Sequence, residues 1–271
     1  EVELRVDLLF NLPLFFLEFF LLFKSFSVSQ EDVAEAIISE VKRKKAKYSS
    51  FVSKLYIIWF YFLARLYYIK YFGILKNGKY DVLCLWGGYN AFQRMAILAA
   101  KKLNIKVYHF ENGSLPNTTV MDNKGTNYNN SVPRDRSFYS NIEINFTPAP
   151  LVPRDTLSAK PATILPQRYI FCPFQVELDN QILINSPWIT NMFQFYEVIE
   201  ELAKHAPEDC FFVIKAHPNC KQDYSELYKK NNPKIVFANN NSTEDLIKNA
   251  DFIITINSTV GIEGIMKNKK V

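Results

Sequence analysis

The sequence predicts an α/β protein made of two Rossmann-like lobes. The first lobe shows a strand, a helix and a second strand between Tyr80 and Phe110, which is typical of a βαβ unit with parallel strands. From Tyr169 onward, short apolar runs again alternate with helical spacings. Five prolines in residues 147–167 indicate a linker between the two patterns. We therefore predict an N-terminal lobe over 1–150, a linker over 151–168 and a C-terminal lobe over 169–271, with a cleft between the lobes.

Composition and charge are those of a folded protein with a large core. Hydrophobic residues make up 48% of the 271 residues, and the formal net charge is +5. This hydrophobic content excludes intrinsic disorder. The mild positive charge suits an anionic ligand or a membrane surface, although many unrelated proteins share it. Because the chain begins with Glu1 rather than Met and ends on an apparent strand at Val271, we expect it to be a fragment of a longer protein, truncated in its C-terminal part.

Cysteine and histidine usage indicates neither disulfides nor a metal site. The four cysteines are scattered without a CxxC pair, and Cys84, Cys172 and Cys210 lie in apolar runs. We therefore predict reduced core thiols and a cytoplasmic protein. The three histidines are not spaced with other ligands in a metal-binding pattern.

The N-terminal region contains three apolar or basic segments. Leu8–Phe23 is apolar but interrupted by polar residues, so we expect a buried strand and helix rather than a membrane span. Residues 31–48 predict a charged helix that ends in the basic run Lys42–Lys47. We favour a solvated helix face for this run over contact with an anionic membrane surface or an acidic acceptor. For Leu55–Leu75 we favour a core helix over docking at a membrane interface.

The remaining elements follow from apolar periodicity and turn residues. After the βαβ unit, the polar segment Glu111–Arg136 is too long to be a passive connection. Pro173 is expected to end the strand that begins at Tyr169, and Pro187 to start the next helix, which places Trp188 on its apolar face. The other predicted strands are Cys210–Lys215, Lys234–Ala238 and Asp251–Ile256, and the other helices are Asp223–Lys230, one capped by Ser242 or Thr243 that ends at Asn249, and Thr259–Asn268.

Four polar clusters each follow a predicted strand, and parallel strands would place them at carboxyl ends, where ligands bind in α/β sheets. Glu111 and Asn112 form the first cluster. Glu111 suits a general base toward a sugar hydroxyl, and an ordinary Asn-Gly turn explains the pair equally well. The second cluster, Gln175–Ser186, contains Asp179, which suits a nucleophile or a base. An Asx residue that caps the loop is the slightly favoured alternative.

The other two clusters suit an anionic ligand. His217 lies between Lys215 and a proline, where it could donate a proton to a leaving phosphate that Lys215 neutralises. Asn257, Ser258 and Thr259 precede a predicted helix, so they form either an anion site or an ordinary N-cap. No GxGxxG, P-loop or Asp-x-Asp motif is present, so a nucleotide-sugar enzyme of this kind would work without a divalent metal.

Together the clusters resemble one family. Its four motifs here are FENGSLPNTTVMDNKGTNYNNSVPR from Phe110, PFQVELDNQI from Pro173, KAHP from Lys215 and INSTVGIEG from Ile256. They are similar to the bacterial capsule-synthesis β-Kdo transferases, above all to retaining β-Kdo transferase modules of O-antigen and capsule assembly. The resemblance covers roughly Tyr80 to Val271. It implies a GT-B-like fold, CMP-Kdo as donor and no metal cofactor, with transfer to a glycan or glycolipid acceptor in retained β configuration.

The resemblance also implies roles for individual residues. Asp179 matches the catalytic aspartate and would be the nucleophile. His217 would lie near the CMP phosphate, and Glu111 would serve the acceptor hydroxyl. Ser258 and Thr259 match a phosphate-binding turn. The predicted substrate-binding set is completed by Lys215 and Arg134, as candidates for the Kdo carboxylate, and by Asn112, Gln175, Gln181 and Asn257.

The sequence-based reading is a cytoplasmic retaining Kdo transferase peripheral to the inner membrane of a Gram-negative bacterium. Two alternatives remain open. One is a transferase of the same architecture that uses another nucleotide-linked donor. The other is a non-catalytic subunit of polysaccharide assembly whose aromatic N-terminal region docks on a membrane or a partner. No nucleic-acid partner is expected.

Overall fold

The structure, a computed structural model, describes residues 28–115, 117–143 and 160–271. The predicted segment Leu8–Phe23 and half of the predicted linker lie outside the described residues. The chain divides into two compact units, one of Glu1–Phe110 with Met121–Ser131 and one of Glu111–Val120 with Val132–Val271. Each unit contains strands and helices with parallel pairing, so the α/β class is confirmed. The lobe boundaries and the cleft stay predictions.

The first unit is a helical layer packed on a small sheet. The βαβ prediction is confirmed, since β1 (Val82–Trp86) and β2 (Lys106–Asn112) pair in parallel with Val82 opposite Lys106. Side chains from the three helices and from β2 form one core, which includes Ile37, Tyr68 and Met95. The elements, in chain order, are α1 (Gln30–Lys47), α2 (Ser50–Gly78), β1 (Val82–Trp86), α3 (Ala91–Lys102), β2 (Lys106–Asn112) and β3 (Thr119–Asp122), with sheet order β1-β2-β3.

Hydrogen bonds within the segment after β2 hold its conformation. β2 extends two residues beyond the predicted end, so Glu111 and Asn112 belong to the strand. Asp122 fixes the next loop, because its carboxylate accepts hydrogen bonds from the amides of Lys124, Gly125 and Ser131 and from the Ser131 hydroxyl. Partial burial raises the pKa of Asp122, but these hydrogen bonds outweigh it and lower the pKa to about 2.

The second unit is a doubly wound sheet of four parallel strands, β4 (Tyr169–Pro173), β5 (Phe211–Lys215), β6 (Ile235–Phe237) and β7 (Phe252–Ile253). Their order in the sheet is β6-β5-β4-β7. Successive residues of β4 point to opposite faces. Cys172 packs with α6 and α7 on one face, and Phe171 packs with α8 and α9 on the other. The elements are α4 (Arg136–Ser140), β4 (Tyr169–Pro173), α5 (Asn180–Leu183), α6 (Met192–His205), β5 (Phe211–Lys215), α7 (Ser225–Lys229), β6 (Ile235–Phe237), α8 (Thr243–Asn249), β7 (Phe252–Ile253) and α9 (Thr259–Met266).

Several sequence-based expectations are wrong in detail. Helix α6 begins at Met192, capped by Asn191, and not at Pro187. Trp188 precedes the helix and is exposed. The Ser186 hydroxyl donates to the carbonyl of Ile189 and holds this stretch in a turn. The expected end of β4 is confirmed, since Pro173 is the last residue of the strand and pairs opposite Lys215.

The prediction of three core thiols holds for Cys172 and Cys210, which are buried, but not for Cys84. β1 alternates exposed and half-buried residues, and Cys84 falls on its exposed face. An apolar run that reads as a fully buried strand is therefore half-exposed here.

Candidate functional site

The carboxyl ends of three parallel strands gather most of the predicted site residues at one edge of the second sheet. Gln175 follows β4, Lys215 and His217 come at the end of β5, and Asn257 and Ser258 follow β7. The strand order reverses at β4, since β5 and β6 extend to one side and β7 lies on the other. Ligands of doubly wound sheets bind outside the carboxyl ends at such a switch point, so the loops after β4 and β7 form the candidate site.

A pair of amide side chains joins these two loops. Gln175 Nε2 donates to Asn257 Oδ1 at 2.8 Å, and the backbone amide of Asn257 donates to Gln175 Oε1 at 3.2 Å. Asn257 Nδ2 then donates to the Gln181 carbonyl at 2.9 Å. Gln175 is only 8% exposed, so these bonds satisfy groups that burial would otherwise penalise. We call Gln175, Asn257 and the Gln181 carbonyl the amide clamp.

Asp179 lies on the exposed rim of the same loop. It is the N-cap of α5, where Oδ1 accepts a hydrogen bond from the Gln181 amide at 2.7 Å. The capping alternative considered from sequence therefore describes a real contact. Capping also orients the carboxylate and uses Oδ1, so the nucleophile role that the resemblance implies stays a prediction compatible with this geometry.

The geometry of His217 selects one tautomer of its ring. Nδ1 accepts a hydrogen bond from the Asn219 amide at 3.1 Å, so the proton of the neutral ring lies on Nε2. The carbonyl of His217 also accepts from the Cys220 amide, which closes the turn through Pro218. His217 is half-buried. The ring is therefore held as a donor through Nε2–H, which is the form suited to an anionic group.

Lys215 is held by the backbone that follows β6. Its Nζ donates to the carbonyls of Asn239 at 2.8 Å and Asn241 at 2.6 Å. Burial lowers the pKa of Lys215. The side chain is thus part of the scaffold that supports the His217 turn, and the predicted contact of Lys215 with a ligand anion stays a prediction.

Replacing Lys215 by methionine is expected to destabilise the second unit by about 2–4 kcal/mol, because two backbone carbonyls, one of them buried, lose their charged donor. Chemical denaturation measures this change. Lys234→Met is the matched control, since Lys234 Nζ bonds the carbonyls of Pro207 and Glu208 at an exposed position and is expected to cost less than about 1 kcal/mol. Equal losses in the two variants would contradict the scaffold role.

Ser258 and Thr259 open helix α9. Ser258 is the N-cap and its hydroxyl accepts from the Val260 amide at 3.2 Å, while the Ser258 amide donates to Thr255 Oγ1 at 3.2 Å. The ordinary capping role of Ser258 is therefore present. The helix terminus that it caps lies next to Asn257 of the amide clamp, and a helix N-terminus favours negative charge.

The remaining predicted residues lie elsewhere in the chain. Glu111 and Asn112 end β2, and Glu111 Oε1 accepts from the Asn112 amide at 2.9 Å. Arg134 is exposed shortly before α4. Because the contact described for Glu111 is local, the structure does not join it to the amide clamp, and the roles of these three residues stay predictions.

Sequence reasoning missed a second layer beneath the site. Glu177 Oε1 accepts from the Met192 amide at 3.0 Å and from the Tyr224 hydroxyl at 3.1 Å, and burial raises the pKa of Glu177. Asn239 Oδ1 accepts from the Ala216 amide at 2.8 Å, next to His217. A signal for Asn239 was available, because three asparagines follow β6 as polar clusters follow the other strands. Glu177 lies within the predicted cluster Gln175–Ser186, but its contact with Tyr224 was not predictable, because Tyr224 lies in a distant segment.

Comparison with known proteins gives two curated relatives and several solved structures. Protein FixF of Sinorhizobium fredii (strain NBRC 101917 / NGR234) is 36% identical over 179 residues, 65% of this chain and 44% of that protein. The capsule polysaccharide export protein KpsS of Escherichia coli is 30% identical over 113 residues, 39% of this chain and 29% of that protein. The chain thus spans less than half the length of either relative. Among solved structures, the Thermosulfurimonas dismutans KpsC beta Kdo 2,7 transferase matches with a TM-score of 0.46 at 20% identity, over 73% of this chain and 66% of that one.

The family comparison covers the chain from the first strand of the βαβ unit to its last residue. The family described as "Capsule polysaccharide biosynthesis protein" matches residues 81–159 and 154–271. These ranges contain all four sequence motifs and the whole amide clamp. The chain belongs to the capsule polysaccharide biosynthesis protein family.

Proposed function

We propose that this protein is a glycosyltransferase that moves Kdo from CMP-Kdo to a glycan or glycolipid acceptor in capsule, O-antigen or lipopolysaccharide assembly. The observation that carries the proposal is the amide clamp at the strand-order switch, flanked by His217 and by the N-terminus of α9. Such an edge suits an anionic nucleotide ligand. The resemblance of the four motifs supplies the identity of the donor.

The leaving phosphate of CMP would be met by neutral and dipolar donors. Nε2–H of His217 is the donor form that the Asn219 contact enforces. The N-terminus of α9 adds the positive end of a helix dipole. The described residues contain no group of three His, Cys, Asp or Glu side chains able to hold a metal ion, and metal independence stays part of the proposal to be tested.

Retention of configuration would follow from two inversions at the anomeric carbon. In the first, an Asp179 oxygen attacks C2 of Kdo and the bond from C2 to the phosphate oxygen breaks, so CMP leaves with the electron pair. In the second, the acceptor hydroxyl attacks C2 and gives its proton to Glu111, and the ester to Asp179 breaks. Retaining glycosidases divide the same work between two carboxyl groups. Arg134 is our candidate for holding the Kdo carboxylate.

The cellular place of the reaction is also proposed. KpsS, a relative by sequence, is named a capsule polysaccharide export protein, which supports work close to the inner membrane. Among the described helices none meets the length and hydropathy needed to cross a bilayer. We propose that the protein acts in the cytoplasm as a peripheral protein of the inner membrane.

Donor choice is the direct test of this function. We expect the purified chain to bind CMP and to release CMP from CMP-Kdo, and to do so equally with and without EDTA. CMP-sialic acid, UDP-GlcNAc and CDP-glycerol, offered in parallel at the same concentration, should give at least roughly tenfold less nucleotide release. Mass spectrometry of released nucleotides measures all four.

Each other outcome points to a stated alternative. Faster nucleotide release from another donor would identify that donor in place of CMP-Kdo, and the proposed transferase function would stand. Loss of release in EDTA would overturn metal independence. Failure to bind CMP at all would favour the non-catalytic assembly subunit.

A further inference from the structure

The end of helix α1 and helix α2 concentrate the positive charge of the chain. Residues 41–80 contain ten lysines and arginines and no aspartate or glutamate. The net charge of the whole chain is +5, so the other residues together carry −5 (5 minus 10). Six of the ten cluster around the turn between α1 and α2: Lys42, Arg43, Lys44, Lys45, Lys47 and Lys54. Such a block in an otherwise acidic chain indicates an anionic partner.

Helix α2 carries an exposed apolar stripe next to this basic turn. Large apolar side chains recur at spacings of three and four residues and share one face, and each is more than half exposed. Phe51 and Ile58 are the most exposed, at 72% and 67%. Alongside this stretch, the buried residues Ser53, Ala64 and Tyr68 of α2 lie on the opposite face. The stripe consists of Phe51, Leu55, Ile58, Trp59 and Phe62.

The basic turn and the stripe are fixed to each other. Lys44 Nζ lies 4.1 Å from the centroid of the Tyr56 ring. The Ser53 hydroxyl donates to the carbonyls of Lys44 and Tyr48 at 3.2 Å each. The charged end of α1 is therefore held against the first turns of α2, the part of the helix in which the stripe begins.

We propose that this surface, the stripe together with Lys42–Lys47, docks the protein on an anionic lipid bilayer. The stripe runs for about 16 Å along the helix, enough for an interfacial helix that lies in the plane of the membrane. Its aromatic and aliphatic side chains would enter the headgroup boundary, and the lysines would contact anionic headgroups, each worth about 1 kcal/mol. The inference gives the proposed peripheral location a structural basis and rests on that proposal for its biological meaning.

The test uses the whole chain with lipid vesicles and one reporter tryptophan. In a Trp86→Phe/Trp188→Phe background Trp59 is the remaining tryptophan, since the sequence has three. Vesicles of phosphatidylcholine with 30% phosphatidylglycerol should shift Trp59 emission to the blue, and brominated lipids should quench it. Pure phosphatidylcholine vesicles should bind at least roughly tenfold more weakly, because the lysines then lack anionic headgroups.

Two variants separate the apolar and the charged contribution. Leu55→Gln/Ile58→Gln/Phe62→Gln should weaken vesicle binding at least about tenfold. Lys42→Glu/Lys45→Glu/Lys47→Glu should weaken it roughly a hundredfold or more, at about fivefold per charge. Ile164→Gln/Ile265→Gln and Lys124→Glu/Lys221→Glu change exposed residues elsewhere and should leave binding unchanged.

The outcomes distinguish this inference from the proposed function. Vesicle binding lost with CMP binding and CMP release intact supports the docking surface. CMP binding absent while vesicles still bind would defeat the transferase and leave the surface standing. Absence of vesicle binding overturns the inference; concentration-dependent dimerisation would then assign the stripe to a second copy, and blue-shifted Trp59 without lipid would assign it to another part of the chain.

Discussion

Asp179→Asn is expected to abolish covalent capture of Kdo while leaving the fold intact. Asparagine caps a helix as well as aspartate, so its side-chain oxygen can still accept from the Gln181 amide as Asp179 does at 2.7 Å. It cannot act as the nucleophile of a double displacement, since an amide is a poor attacking group. We expect release of CMP to fall at least roughly 10³-fold and the free energy of unfolding to change by less than about 0.5 kcal/mol.

Intact-protein mass after incubation with CMP-Kdo measures the adduct directly. The native chain should gain the mass of one Kdo residue, and the Asp179→Asn variant should gain none. Asp179→Ala should lose the adduct as well and about 1 kcal/mol of stability with the cap. Asp223→Asn is the matched control, because Asp223 Oδ1 accepts from the Ser225 amide at 2.9 Å at an exposed position. An adduct that survives in Asp179→Asn would reduce Asp179 to a helix cap.

The sequence predicted where the site lies better than how it is held together. Parallel strands bring their carboxyl ends to one edge, so the polar residues after β4, β5 and β7 had to be neighbours. Which of them touch was not predictable, because Gln175 and Asn257 are 82 residues apart and glutamine and asparagine pair with many partners. The same holds for Asp179, where one carboxylate can be both a cap and a nucleophile.

Helix α2 shows a limit of apolar periodicity. The segment Leu55–Leu75 is apolar on most of its circumference, so the pattern cannot show which face is buried. Such a pattern favours a core helix. In the structure α2 packs one face against α1 and α3 and exposes the stripe. Tertiary contacts settled the choice, because a helix in a layer has partners on one side only.

The predicted boundaries of α6 and β2 are wrong for a local reason. Pro187 suits a first helical turn, yet side-chain bonds in 186–191 hold a turn there and Asn191 supplies the cap. β2 continues through Glu111, where asparagine and glycine had suggested a turn. Single-residue signals marked the right region in both places and missed the element end by a few residues.

Asn257→Asp is expected to break the amide clamp while keeping its shape. The new carboxylate still accepts from Gln175 Nε2, but an oxygen replaces Nδ2, which donates to the Gln181 carbonyl at 2.9 Å. Two acceptors then face each other in a half-buried position, which we expect to cost about 2–4 kcal/mol of unfolding free energy. Because Asp179 lies in the same loop as Gln181, we also expect adduct formation to slow roughly a hundredfold.

The pH dependence of this variant separates a broken clamp from general damage. A carboxyl group that faces a carbonyl has a raised pKa in the folded state, since only its protonated form can donate. Its protonated form is therefore favoured by folding, and the stabilisation is present at low pH and lost as pH rises through that raised pKa. In measurements from pH 7 down to pH 4, the difference in unfolding free energy between Asn257→Asp and the native chain should become smaller.

Asn249→Asp is the control, because Asn249 Nδ2 donates to a helix carbonyl at an exposed site. Its unfolding free energy should differ from that of the native chain by less than about 0.5 kcal/mol throughout. A pH-independent gap in Asn257→Asp would mean that the amide clamp does not hold the loop after β4.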